Sequence, residues 1–268
     1  MSFSIGSGGD DTRLRQMERL QTRLLQGSQR LASGKRIATA AEDAAGLAIA
    51  QRLSAAIRSD EQGQRNLADG LGLAQVAEGA LQSSQEDLVR MRELSVQAGN
   101  GTLSSVDRQA IQQEYDQLAA SLDQTAGSSS YGGRALLDGS ASGAGAIVLD
   151  DGSGNPQAVP LPDARAATLG VAGLDASDPA TATALDAASA ALTSARTQLG
   201  AFGSGLNRQI GRLGAASEAT EAARSRIEDV DVAQEVATQT RDRILMSMQL
   251  RGQTLANGTT HSRLDQLL

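Results

Sequence analysis

The chain has no cysteine and no tryptophan, and only two phenylalanines and two tyrosines among 268 residues. The absence of cysteine excludes a disulfide framework and any thiolate nucleophile or ligand. So few rings disfavour a conventional compact core, because aromatic side chains bury the most area per residue. Proline occurs only at Pro156, Pro160, Pro162 and Pro179, which leaves 1–155 and 180–268 free of the strongest helix breaker. The single histidine, His261, reads as a solvated side chain, and without cysteine a transition-metal site would need carboxylates alone. No apolar run approaches the roughly 20 residues that span a bilayer, which argues against membrane insertion. The start, MSFSIGSGGDDTR, lacks the basic segment and apolar core of a secretory signal peptide. A formal net charge of −7 disfavours nucleic acid as a partner.

Catalytic patterns are also missing. There is no H-E-x-x-H, no P-loop and no complete G-x-G-x-x-G, since Gly70-Leu71-Gly72 falls short and lies in a helical stretch. Asp229 and Asp231, two apart, point in different directions on a helix and read as capping or surface charge. Asn100-Gly101-Thr102 and Asn257-Gly258-Thr259 match the N-glycosylation triplet, a pattern short enough to arise by chance. The expectation is no enzyme and no cofactor.

What is present is helical periodicity. Met17, Leu20, Leu24, Gly27 and Leu31 follow the 3-4-3-4 spacing of a coiled-coil seam. The stretch 44–98 carries Leu67, Ala74, Leu81 and Leu88 seven apart, and as one helix it would reach roughly 80 Å. Gly63, Gly70, Gly72 and Gly79 within it each cost about 1 kcal/mol relative to alanine, so close helix approach is the expected reason for them. Glu42-Asp43 stands at the N-terminal end of that helix, where negative charge is favourable. Asn100-Gly101 stops it, Ser104-x-x-Asp107 caps the next, and that third helix shows Ile111, Tyr115, Leu118 and Leu122 on one face. Glycine, serine and proline then accumulate over 127–180, where AIVLDD and PQAVPL predict two short strands around a turn. From about 181, Leu185, Leu192, Leu199, Leu206 and Leu213 recur every seven residues, continuing through Thr220 to Ile227. A last segment places Ala233, Ala237, Ile244, Met248 and Leu255 on one face. Between the first two helices, Ser33-Gly34-Lys35-Arg36 forms a joint. The fold class predicted is mainly α: long antiparallel helices in a coiled-coil-like rod with a small β-hairpin, and terminal helices that pair.

Several longer stretches carry a family resemblance. RLASGKRIATAAEDAAGLAIAQRL, RNLADGLGLAQVAEGAL, LVRMRELSVQAGNGT and YGGRALLDG resemble the N-terminal half of a bacterial flagellin. LGAFGSGLNR and SRIEDVDVAQEV resemble the C-terminal half, in order, so the likeness covers nearly the whole chain. It implies a filament subunit exported unfolded through the flagellar channel and polymerised at the distal tip, extracellular in its final place. It further implies that 1–40 and 231–268 form a discontinuous inner-tube domain with a spoke connector at about 33–46. Residues 41–230 would form the outer-tube rod, with a hairpin at about 140–170. The spoke would use Gly34 to turn, and Lys35 and Arg36 to meet carboxylates on neighbours. The terminal seams would be Met17, Leu20, Leu24 and Leu31 on one end and Ile244, Met248 and Leu255 on the other.

The implied partners are further copies of the chain, an export chaperone, the filament cap and hook–filament junction proteins. In many flagellins the R-x-R-E-L surface packs between protofilaments and is read by a vertebrate Toll-like receptor. The matching positions here are Arg90, Leu94 and Glu114, with Val89 where a polar residue is common. Two stretches depart from the family pattern: Ile5 followed by GSGGDD in place of I-x-T-N, and ANGTTHSRLDQLL near the other end. Alternatives are a hook–filament junction protein or minor filament subunit, a flagellin-like enzyme with a peptidase insert, and an unrelated coiled-coil scaffold. The short centre and missing H-E-x-x-H argue against the enzyme, and SRIEDVDVAQEV favours flagellin over the junction protein.

Overall fold

The structure is a computed structural model that describes residues 7–152, 154 and 156–265, with 7–11, 253 and 256–265 as backbone only. His261 therefore lies outside the residues described with side chains, as do most of the two divergent stretches. Among the described residues are five α-helices: α1 (Ser7–Ser33), α2 (Ala44–Ala98), α3 (Ser105–Ser128), α4 (Pro179–Glu228) and α5 (Val232–Asp265). Between α3 and α4 lie two small antiparallel pairs, β1 (Ser130–Tyr131) with β2 (Arg134–Ala135), and β3 (Val148–Leu149) with β4 (Gln157–Ala158). The class is mainly α, as the periodicity predicts. No helix among the described residues is long and apolar enough to cross a membrane. The chain divides into two compact units, Met1–Ala56 with Ala219–Leu268, and Ile57–Glu218, with the boundaries inside α2 and α4.

Helix ends follow the local chemistry. Asp43 Oδ1 accepts the Gly46 N–H at 2.8 Å and satisfies one of the free amides that open α2. Ser104 and Asp107 form a reciprocal capping box on α3, at 3.2 and 3.1 Å. Gly132 and Gly133, with φ of 60° and 81°, make the two-residue turn that joins β1 to β2. That pair was not anticipated from the sequence, although Gly-Gly between short runs is itself a hairpin signal.

In the second unit α2 and α4 run antiparallel, as paired side chains show. Arg92 meets Asp186 at 2.5 Å, Gln85 Nε2 donates to Ser189 Oγ at 2.5 Å, and Arg196 meets Glu78 at 2.8 Å. Leu185, Leu192, Leu199 and Leu206 are all buried, so the seven-residue repeat faces the core through this unit, while Leu213 is half-buried. From α3, Ile111, Tyr115 and Leu122 fill the same core. The Tyr115 hydroxyl donates to the Val171 carbonyl at 3.1 Å, and burial, with Asp116 nearby, pushes its pKa up to about 12.

The helix glycines admit close approach, as the sequence suggests, but mostly by strands and a turn and only in part by a helix. A Cβ at Gly63 would collide with the Asp151 carbonyl, and one at Gly70 with the Leu149 side chain. Gly72 faces the Tyr131 hydroxyl, while nothing lies within 4 Å of Gly79. Thus Gly63, Gly70 and Gly72 seat the strand pairs and the β3–β4 turn on α2, and at Gly63 the Leu213 side chain of α4 comes close as well. The seat is held by Gln209 Nε2 donating to the Asp151 carboxylate, and by Asn66 Nδ2 donating to the Asp150 carbonyl at 3.0 Å.

Candidate assembly interface

In the first unit, α1 ends at Gly34, whose φ of 70° favours glycine and turns the chain. The next residues then run antiparallel beside 227–230. The Arg36 amide donates to the Glu228 carbonyl at 2.6 Å, the Val230 amide donates to the Gly34 carbonyl at 3.0 Å, and Lys35 bridges Asp229. Lys35 Nζ pairs with the Glu228 carboxylate, and Arg36 donates from Nη2 to the Ile227 carbonyl. Ile37 is buried beside Gly46. Lys35 and Arg36, expected to reach carboxylates on neighbouring molecules, also have partners inside the chain. Lys35 finds its carboxylate within the chain and Arg36 finds a carbonyl, because the turn at Gly34 lays both against the end of α4. We call this arrangement the clasp.

Nearby carboxylates are equally committed. Glu42 Oε2 accepts the amides of Ala38, at 2.8 Å, and Thr39, and its Oε1 meets Arg30 at 3.2 Å. The Ala38 amide is the main cause of a pKa below the usual glutamate value; desolvation opposes it, and Thr39 and Arg30 add to the lowering. Asp231 Oδ1 accepts the Gln234 amide at 3.1 Å at the start of α5, a capping role, while Asp229 belongs to the clasp.

From the clasp, α1 and α5 pair with each other. On α1, Leu20 is buried, and Met17, Leu24 and Leu31 are half-buried. On α5 the result is inverted. Ile244, Met248 and Leu255 are 50, 63 and 72% exposed, and Val232, Val236, Leu245 and Leu250 are exposed too. The covered positions are instead Glu235, Gln239, Asp242, Met246 and Gln249, a 4-3-4-3 stripe that is polar but for the methionine. Glu235 packs against Gly27 of α1, and Arg23, Gln26 and Arg30 line the same groove as Gln239 and Asp242. The predicted seam of Ile244, Met248 and Leu255 is thus corrected as a contact within the chain: it faces away from α1. The polar stripe was legible in the sequence, because it has coiled-coil spacing; searching for apolar repeats alone passes over it. Arg30 Nε and Gln249 Oε1 are buried without a hydrogen-bond partner, so the pairing is imperfectly satisfied.

In the second unit, Arg90 on α2 reaches Glu114 on α3 at 2.7 Å and Glu93 at 3.0 Å, with Arg90 and Glu93 solvent-exposed and Glu114 partly so. Leu94, expected beside them on one contact surface, is only 1% exposed and lies in the core with Met91 and Ala98. Its position on the core stripe of α2 removes it from the surface. Val89 and Val96 are the exposed apolar residues near Arg90.

Residues 12–142 match the bacterial flagellin N-terminal helical region, and residues 182–257 match the bacterial flagellin C-terminal helical region. A flagellin of Halalkalibacterium halodurans is 36% identical over 225 residues, 81% of this chain and 82% of that one. A flagellin of Listeria monocytogenes is 33% identical over 256 residues, 88% of this chain and 89% of its own. Among solved structures, a putative flagellar hook-associated protein from Vibrio parahaemolyticus shares the fold, with a TM-score of 0.59 at 17% identity. That likeness covers 70% of this chain and 100% of the other.

Proposed function

The chain belongs to the bacterial flagellin family, and on that premise we propose that its copies are joined chiefly through the apolar outer face of α5 acting together with α1. It is a structural subunit of the bacterial flagellar filament, and it polymerises with itself to form that filament. The observation that carries the proposed contact is the inversion of α5. A helix that stays on the surface of a monomer turns its apolar stripe inward; this one turns a polar stripe inward and leaves seven large apolar side chains in water. Covering each of them stabilises the polymer by up to roughly 1.5–3 kcal/mol, and neighbouring copies supply the cover.

In this reading 1–40 and 231–268 act as the inner-tube part, with the connector at about 33–46. Residues 41–230 act as the outer part, with the hairpin at about 140–170. The two compact units, which divide inside α2 and α4, support a discontinuous terminal part. Export before assembly, with an export chaperone, the filament cap and hook–filament junction proteins as further partners, belongs to the same reading. So does contact of Arg90 and Glu114 with neighbouring copies or a vertebrate Toll-like receptor, which the exposure of their ion pair supports.

The test is the double substitution Ile244→Lys with Met248→Lys. The expected result is loss of growth onto filament seeds, while hydrogen exchange in 57–218 stays that of the parent. Growth at the parental rate overturns the assignment of the α5 face.

A further inference from the structure

The turn between α2 and α3 places an unusual set of groups around one side-chain amide. Asn100 and Gly101 are both exposed and lie outside the helices that flank them. The Gly101 amide donates to nothing among the described residues, whereas the amides on either side are engaged. Asn100 donates to Gln97 at 3.1 Å, and Leu103 closes the turn onto the Asn100 carbonyl at 3.2 Å. The side-chain oxygen of Asn100 accepts twice from Thr102, from its backbone N–H at 3.1 Å and its hydroxyl at 3.0 Å. A free backbone nitrogen thus follows an amide carbon whose oxygen is held by two donors.

From this arrangement we propose that Asn100 is a site of spontaneous deamidation, assisted by Thr102. The Gly101 nitrogen loses its proton to solvent base and attacks Asn100 Cγ. Negative charge then develops on Asn100 Oδ1, where the two Thr102 donors stabilise it as an oxyanion hole stabilises a tetrahedral intermediate. The C–N bond to the side-chain nitrogen breaks, ammonia leaves with a proton from water, and a five-membered succinimide remains. Water opens that ring at either carbonyl and yields aspartate or isoaspartate, with no oxidant or reductant required. Glycine at 101 matters because it puts no Cβ beside the attacking nitrogen and leaves the backbone free to reach it.

The chain holds its own controls. Asn257–Gly258, the other Asn–Gly pair, lies inside α5, where backbone amides are committed to the helical ladder. Asn66 and Asn207 lie inside α2 and α4 and precede leucine and arginine. The chemistry also changes the local charge. A carboxylate appears in a turn whose Asn100 carbonyl accepts from Arg108 at 3.5 Å, and isoaspartate inserts a methylene into the backbone.

The full chain, assembled into filaments, is incubated at neutral and mildly alkaline pH and digested with trypsin, and the 93–108 peptide is followed by mass spectrometry. Isoaspartate is counted with an isoaspartyl methyltransferase. The expected result is conversion of Asn100 faster than Asn66, Asn207 or Asn257, and at least as fast as in the isolated 93–108 peptide. Gly101→Ala should slow it several-fold. Thr102→Val, which removes the hydroxyl donor and keeps the backbone one, should slow it at least ~3-fold, well short of the ~100-fold lost on removing a donor from a closed enzyme site. Thr102→Ser should retain the parental rate. Conversion slower than in the free peptide overturns the site, and equal rates for Thr102→Val and the parent overturn the part assigned to Thr102. Both positions lie in an exposed turn, and an unchanged melting curve confirms that the fold is not what moved.

Discussion

Asp163 shows how single residues in the irregular segment between α3 and α4 are fixed by charge. Its carboxylate accepts from the Arg165 guanidinium at 2.7 and 3.0 Å, from the Thr168 hydroxyl at 2.8 Å and from the Arg165 amide at 3.1 Å. The Arg165 side chain is the largest cause holding the pKa at about 2; desolvation opposes it, and Thr168 and the Arg165 amide add to it. A carboxyl with a folded value below its unfolded one stabilises fully above the unfolded value, near 3.8, and loses that contribution as pH falls through about 2. Asp163→Asn should therefore destabilise the chain at pH 6 by at most ~1 kcal/mol, because Arg165 is half exposed and its pairing is screened. At pH 2 parent and variant should have nearly the same urea midpoint. A constant gap across that range would show that the ion pair is not the cause. Arg90 is a similar exposed partner on α2, and its residue type and motif were legible in the sequence. The burial of Leu94 was not, because a motif match carries no information on which side of the helix faces the core.

Among the elements, α2 exposes the difference between a glycine that is needed and one that is tolerated. Replacing a mid-helix glycine by alanine gains about 1 kcal/mol from propensity alone. At Gly79, where nothing lies within 4 Å, Gly79→Ala should realise that gain. At Gly63 the added methyl meets the Asp151 backbone carbonyl, which cannot rotate away, and forcing it aside costs typically 1–3 kcal/mol. Gly63→Ala should thus lower stability on balance, with the shift in urea midpoint opposite in sign to that of Gly79→Ala. Stabilisation by both would mean that β3 and β4 do not sit on α2. The sequence revealed that close approach occurs somewhere along α2, since four glycines in the interior of a stable helix need a reason. It could not say what approaches, because the contact is made by residues some 80 positions away whose own pattern is short. The leucine repeat of α4 was easier to read: one residue type at constant spacing permits one buried face, and Leu185 to Leu206 occupy it.

At the scale of the molecule, the terminal helices are the part whose stability is expected to depend on other copies. Pairing of α1 with α5 buries Asp242, half-buries Glu235, Gln239 and Gln249, and leaves two polar atoms unpartnered. An unsatisfied buried group costs about 1–3 kcal/mol, so this pairing alone holds the two helices weakly. Residues 12–33 and 232–252 should accordingly exchange amide hydrogens rapidly in the monomer and become protected in the filament, while 57–218 stays protected in both. Strong protection of both ends in the monomer would refute this division of stability. The sequence showed that both ends carry apolar faces, but an apolar face in a sequence does not identify its partner. For α5 that partner is not α1.

The clasp has one further chemical consequence. Lys35 is the only lysine in the chain; every other cation among its lysines and arginines is an arginine. Its ammonium is also the group that pairs with Glu228 where the first and last helices meet the rest of the chain. Amine-directed acylation therefore has a single side-chain target, and the reaction neutralises one of the clasp's two cations while leaving the arginine ion pairs on α2 and α4 intact. Lysine-specific proteolysis likewise has one address, between Lys35 and Arg36, and separates α1 from everything that follows. The joint that tethers a terminal helix can thus be labelled or cut by the chemistry of one residue type.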